Sequence, residues 1–287
     1  MKNRIAFALL LTLSITGMKA QSFQGMAVYE SKTSMGDFKM EGKEVTDEMR
    51  KMVTERMKKA LEKTFILNFD KSASIYEEEK KLDAPNTDNR GMRMMASFTG
   101  GGGKQYKNIK DKQYIVDKEF MGKEFLIKDS LQKIDWKLEN ETKKIGEYTC
   151  YKATAVQKAN PLDFRNLRKK EAKEEEKKST NLMDQIDMPK EIIITAWYTS
   201  DIPVNQGPEN YWGLPGLILE VNTGKTTILC SKVVLNPKEK TDIKPAKNGK
   251  VVTQKEYDDI VLKKMEEMKD KFRDGKRGNG NTIRIGN

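Results

Sequence analysis

The chain has 287 residues, 34% of them charged, with 54 Lys and Arg against 43 Asp and Glu and no histidine at all. The missing histidine excludes Ser-His-Asp and Cys-His nucleophilic catalysis, histidine-ligated zinc and the commonest side-chain pH switch. The formal charge of +11 is spread over interleaved Lys and Glu, as in residues 169–178, which is the pattern of a solvated helix face and not of a nucleic-acid-binding stripe.

Residues 1–20 read as a secretory signal peptide. Lys2 and Arg4 give a basic start, residues 5–15 an apolar run, and Ala20 a small residue at the cleavage point. The run is shorter than the ~20 apolar residues needed to cross a bilayer. The expectation is an exported protein of the periplasm or outer-membrane surface, with no transmembrane span after cleavage. Cleavage removes three basic residues and no acid, lowering the formal charge to +8.

Strand patterns then dominate. Residues 23–30 alternate. Residues 64–70 and 74–78 form a hairpin pattern, as do 105–109 and 113–120. Further runs follow at 123–128, 133–139, 148–157, 191–199, 217–222 and 226–235. Short turns between successive strands argue for antiparallel pairing. Residues 46–63 carry a helical stripe of Met49, Met52, Val53, Met57, Ala60 and Leu61. Residues 253–273 open on Thr253 and Glu256, a capping-box pair, and carry Tyr257, Ile260, Val261, Met265, Met268 and Phe272 on one face. Gly275 is the expected stop.

The expected fold is mainly β with helices (α+β): a curved antiparallel sheet or half-barrel meander, with one helix inserted early and one at the C-terminus. Residues 21–274 form one domain with helical insertions at about 44–63 and 162–190, and 275–287 form a flexible tail. Segments 81–104 and 161–190 read as insertions in the rim.

Cys150 and Cys230 each lie in a strand pattern. In an oxidising compartment such a pair points to a disulfide, whose 80-residue loop would be worth about 4–5 kcal/mol. Spacing alone leaves free thiols as the equal alternative.

Three chemical motifs are weak. Gly103-Lys104 follows a glycine run, but Phe98 and Gln105 stand where a phosphate loop needs Gly and Ser or Thr. Met92, Met94 and Met95 offer soft ligands for Cu(I), against the commoner use of Met as core filler. Asp201 and Glu209 are the acids nearest the most distinctive loop, and read more readily as a turn-forming Asp and an exposed Glu. No catalytic residue, metal or cofactor is expected.

The distinctive loop runs from 196 to 218. Pro203, Gly207, Pro208, Gly213, Pro215 and Gly216 make it a stiff elbow between two strands, with Gly213 read as a point of close backbone approach. Trp197, Tyr198, Tyr211, Trp212 and Leu214 flank it. Aromatic residues beside such a loop either pack locally or anchor a ligand or partner.

The ordered set Trp136-Lys137-Leu138, residues 146–153, residues 196–203, Gly207-Pro208 and Gly213-Leu214-Pro215-Gly216-Leu217-Ile218 resembles the GLPGLI family of exported Bacteroidota proteins. The resemblance implies an exported protein, often considered alongside outer-membrane receptor systems, with no assigned activity. The expectation is a non-enzymatic binding or accessory protein. Its candidate partners are an outer-membrane receptor, another envelope protein or an apolar small ligand, engaged through Trp197, Tyr198, Tyr211, Trp212 and Leu214. A carboxylate-dependent hydrolase and a ligand-free structural envelope component are the alternatives.

Overall fold

The computed structural model describes residues 23–34, 46–79, 103–166, 168–169, 186–187 and 189–277. The expected signal peptide, most of both rim insertions, Met92, Met94 and Met95, and tail residues 278–287 lie outside the described residues.

In chain order the strands are Gly25–Thr33 (β1), Glu62–Phe69 (β2), Ala73–Glu78 (β3), Gln105–Asn108 (β4), Gln113–Phe120 (β5), Lys123–Ser130 (β6), Lys137–Ile145 (β7), Tyr148–Lys158 (β8), Arg168–Lys169 (β9), Ile186–Asp187 (β10), Glu191–Thr199 (β11), Leu217–Thr223 (β12), Thr226–Leu235 (β13) and Lys250–Val252 (β14). β9 and β10 form a separate two-stranded ribbon. The other twelve make one open sheet in the order β14-β6-β5-β4-β3-β2-β1-β13-β12-β11-β8-β7.

The fold is therefore mainly β and mostly antiparallel, but it departs from a simple meander twice. β1 sits in the middle of the sheet, between β2 and β13. β14 pairs with β6 in parallel, which a chain achieves only after a long crossover; here the whole second half of the sheet supplies it.

The sheet cannot lie flat. β6 and β7 are ten strand intervals apart, about 48 Å across a planar sheet. Yet residues 131–136 alone join them, and so short a link spans about 25 Å at most. Trp212 holds this link: its indole N–H donates to the Gln132 carbonyl at 2.8 Å, and its own carbonyl accepts from the Trp136 indole at 2.8 Å.

Two apolar clusters result. The larger gathers Tyr29, Leu67 and Phe69 from the first strands with Ile194, Ala196, Leu217 and Ile218 from the later ones. The smaller lies under the C-terminal helix Gln254–Arg277 and includes Phe125, Ile127, Tyr257 and Val261. Trp212 packs against both. The edge strand β7 is rich in Lys and Glu and largely exposed, which discourages further strand pairing.

The capping box forms: the Thr253 amide donates to Glu256 Oε2 at 2.8 Å, and the Glu256 amide donates to Thr253 Oγ1 at 3.2 Å. Asp129 Oδ2 also accepts from the Gln254 amide at 3.0 Å, tying this helix start to β6. The helix continues through Gly275 to Arg277, past the expected stop; a glycine in a helix costs only about 1 kcal/mol. A second helix, Asp47–Leu61, runs straight into β2. Its Met52 is 45% exposed, so this member of the expected stripe is not buried. The side chains of Met49, Val53, Met57 and Ala60 lie outside the described residues.

Cys150 and Cys230 are both buried and both free, which corrects the disulfide expectation. They stand on β8 and β13, with β11 and β12 between them. Three strand spacings are about 14 Å along the sheet, beyond the ~7 Å that a bridge tolerates between Cα atoms.

Candidate functional site

The elbow is built from three hydrogen-bonded turns. The Val204 amide donates to the Ile202 carbonyl at 2.8 Å around Pro203, and the Gly216 amide to the Leu214 carbonyl at 2.8 Å around Pro215. Both are two-residue closures that the fixed φ of proline suits. The Tyr211 amide closes a turn onto the Pro208 carbonyl at 3.0 Å. The returning chain then pairs with the outgoing one, Leu217 to Ile202 and Ile218 to Gln206, each at 3.0 Å.

The glycines divide their roles differently from the sequence reading. Gly213 is needed for its left-handed φ of +92°, and an added Cβ there would meet only the Trp136 indole nitrogen, at 4.0 Å. Close approach falls to Gly216, where an added Cβ would sit 2.0 Å from the Thr199 carbonyl oxygen, and to Gly207, where it would meet Ile218 at 2.9 Å.

Lys107, on β4, fastens the elbow to the opposite half of the sheet. It is 1% exposed. Its ammonium donates to the carbonyls of Gly207 at 2.8 Å, Glu209 at 3.0 Å and Tyr211 at 3.0 Å. All three of its donors are thus matched. Burial pulls its pKa down to about 7, against the opposing charge of Glu209. Beside it, Ser74 Oγ donates to Gln206 Oε1 at 2.9 Å.

Next to this anchor the concave side of the sheet keeps a cleft of about 240 Å³. β5 and the C-terminal helix supply one wall through Tyr114, Val116, Lys118, Tyr257 and Asp258. The end of β8, Leu162 and Ile192 supply the other. Arg165 lies at the cleft and is bound on both sides. It donates to Asp163 Oδ1 and Oδ2, both at 2.9 Å, and to Glu209 Oε1 at 2.6 Å and Oε2 at 3.2 Å. Burial opposes its charge, but Glu209 and Asp163 outweigh it and hold the pKa well above the ordinary value. Glu209 reaches this position from a left-handed φ of +46°, half-buried and ion-paired instead of exposed as its sequence context suggested.

Two polar groups in the residues lining the cleft make no hydrogen bond or ion pair among the described residues. Tyr76 is 4% exposed and stacks on Phe65 at 4.8 Å, and its hydroxyl makes no hydrogen bond. Burial, then the nearby charge of Glu209, keep that phenol protonated far above neutral pH. The Lys118 amine lies 5.5 Å from the centre of the Tyr257 ring. Among the described residues no hydrogen bond or ion pair engages it. Burial lowers its pKa, with Asp258 opposing. Asp258 is itself pinned, accepting from Gln254 Nε2 at 2.7 Å, while Tyr114 donates to Gln254 Oε1 at 3.0 Å. Burial raises the Asp258 pKa.

The five candidates from sequence do not converge. Tyr211 lines the cleft. Leu214 and Tyr198 are buried in the larger core, Tyr198 beside Tyr151 at 5.9 Å. Trp197 is half-buried on β11 with the Lys143 amine 4.3 Å from its ring centre. Trp212 and Gly213 edge a shallow hollow shared with Lys71 and Lys110. Lys118, Arg165, Asp163 and Asp258 were not singled out by sequence; Arg165 and Asp163 fall in a segment that reads as a polar insertion. Among the described residues no group of three or more Cys, Asp and Glu is placed to hold a metal ion.

Comparison with known proteins adds the following. No curated protein matches the chain. Two solved structures of PNGF-II, in space groups C2 and P21, are each 17% identical with a TM-score of 0.47. Each match covers 84% of this chain and 33% of the other, so this chain spans a third of the length of the solved chains it resembles. Residues 136–220, which hold β7, β8, β11 and the whole elbow, match the family described as "Protein of unknown function (Porph_ging)", which is related to the GLPGLI proteins.

Proposed function

We propose that this is an exported, envelope-associated binding protein whose sheet works as a half-barrel cradle, and that the cleft beside the elbow holds a small ligand. The supporting observation is the pairing of two unengaged polar groups, the Tyr76 hydroxyl and the Lys118 amine, in one partly open cavity. Buried polar groups ordinarily find partners, so a buried hydroxyl without one in a residue that lines the cleft, and a half-buried amine without an ion pair beside it, support a ligand there. The apolar lining from Val116, Leu162 and Ile192 suits a ligand with an apolar body. The closely placed acids, Asp163 and Glu209, share one guanidinium, an arrangement that favours a structural clamp over an acid–base pair. A surface role for Trp197 or Trp212 toward an outer-membrane receptor remains part of the same proposal.

The test is native mass spectrometry of the chain after incubation with an envelope extract, beside a Gln157→Trp variant that fills the cleft from the end of β8. The expected result is a small-molecule adduct on the wild type that the variant lacks. An adduct on both, or on neither, contradicts a ligand in this cleft.

A further inference from the structure

Resting on that reading of the cleft, we infer that its ligand is a small organic carboxylate with an apolar body, and that Lys118 is the residue that receives the carboxylate. The geometry separates Lys118 from the two other buried cations near it. Arg165 is saturated by Asp163 and Glu209, with four contacts between 2.6 and 3.2 Å. Lys107 is saturated by three carbonyls. Two further lysines line the cleft: Lys158 stands exposed at the end of β8, and Lys118 stands half-buried in the wall with no ion pair among the described residues, beside an Asp258 that accepts from Gln254.

The ligand's charge follows from the half-buried member of the two. One ammonium in the wall of the cleft complements one negative charge. A phosphate, with about −1.5 to −2 charge and several acceptor oxygens, calls for an Arg cluster or a nest of amides, and Arg165 has no fork to spare. A neutral apolar ligand would leave the ammonium both desolvated and unpaired, which is costly. Tyr76 stands on β3 and Lys118 on β5, two strand spacings or about 10 Å apart. A molecule with a carboxylate at Lys118 and its apolar body along Val116 and Ile192 therefore extends toward the Tyr76 side of the cleft.

Octanoate and octanamide are matched probes, differing in charge and nearly equal in shape. Titration calorimetry at neutral pH should show octanoate binding the wild type at least about tenfold tighter than octanamide, the size of effect expected for one charge-assisted hydrogen bond. In Lys118→Met the preference should vanish, with octanamide affinity retained, and in Lys118→Arg it should persist. Equal binding of the two probes to the wild type, or a preference that survives in Lys118→Met, overturns the carboxylate assignment while leaving the cleft as a binding site. Binding of neither probe overturns the assignment, and the native-mass adduct then decides separately whether the cleft binds anything. Circular dichroism of each variant, with the retained octanamide affinity, separates loss of the anchor from loss of the fold.

Discussion

Lys107 and Lys118 stand on neighbouring strands, the first fully buried and the second half-buried, and their surroundings are opposite. Lys107 meets three carbonyls of the elbow within 3.0 Å, and no donor is left over. Lys118 meets a tyrosine ring and a cavity. A buried charge is tolerated when its neighbours satisfy it, and the first lysine shows a site finished by the protein itself. The second shows one that the protein leaves open. The elbow is therefore scaffold, and the cleft that it helps to shape is where a ligand is expected.

Breaking the scaffold should produce the largest effect. Gly216→Ala forces a methyl group to 2.0 Å from a backbone oxygen, with no flexible side chain to yield. It should cost about 3 kcal/mol or more in denaturant unfolding, or prevent folding altogether. Lys107→Met should follow closely. It leaves the carbonyls of Gly207, Glu209 and Tyr211 without their donor, for about 3 kcal/mol, read from the shift in urea midpoint.

A pH series sharpens the role of Lys107. Its pKa falls from 10.5 in the unfolded chain to about 7 in the folded one. Below pH 7 both states hold the proton and the group adds no pH dependence. Between pH 7 and 10.5 the unfolded state holds more protons, so stability rises with pH, by at most about 1.4 kcal/mol per unit. That rise should be missing from Lys107→Met when the two unfolding series are subtracted.

The smallest expected effect concerns the thiols. Burial pushes Cys150 up to about 11 and Cys230 up to about 12. Both should resist alkylation at neutral pH in the native protein and both should react once it is unfolded, as mass spectrometry will show. A reductant should leave the melting temperature unchanged.

Much of the elbow was legible from residue types, because turn chemistry is local. Pro203, Pro208 and Pro215 fix turns wherever they occur, and Gly213 and Gly216 mark special backbone. Which glycine serves which purpose was not legible, since close approach depends on the partner strand at Thr199. Most long strands were legible for the same local reason, but the run expected at 133–139 begins only at Lys137, and the short strands β9, β10 and β14 carried no pattern; the capping box at Thr253 and Glu256 fixed the helix start. The sheet order was not. Nothing near residues 25–33 tells that this strand lies between β2 and β13. The disulfide expectation failed on the same point, since two intervening strands are invisible in a spacing. Lys107 and Lys118 were hidden among 54 basic residues, because their meaning comes from groups brought in by distant pairing.

The most direct test is the melting temperature of wild type, Lys107→Met and Lys118→Met, each with and without octanoate. Lys107→Met should melt about 6–12 °C lower than wild type, the shift that about 3 kcal/mol produces in a domain of this size, and should still be stabilised by octanoate. Lys118→Met should melt within a degree or two of wild type and gain nothing from octanoate. A Lys118→Met protein that melts as low as Lys107→Met, or one that octanoate stabilises as much as wild type, would contradict the division between a lysine that holds the fold and a lysine that awaits a ligand.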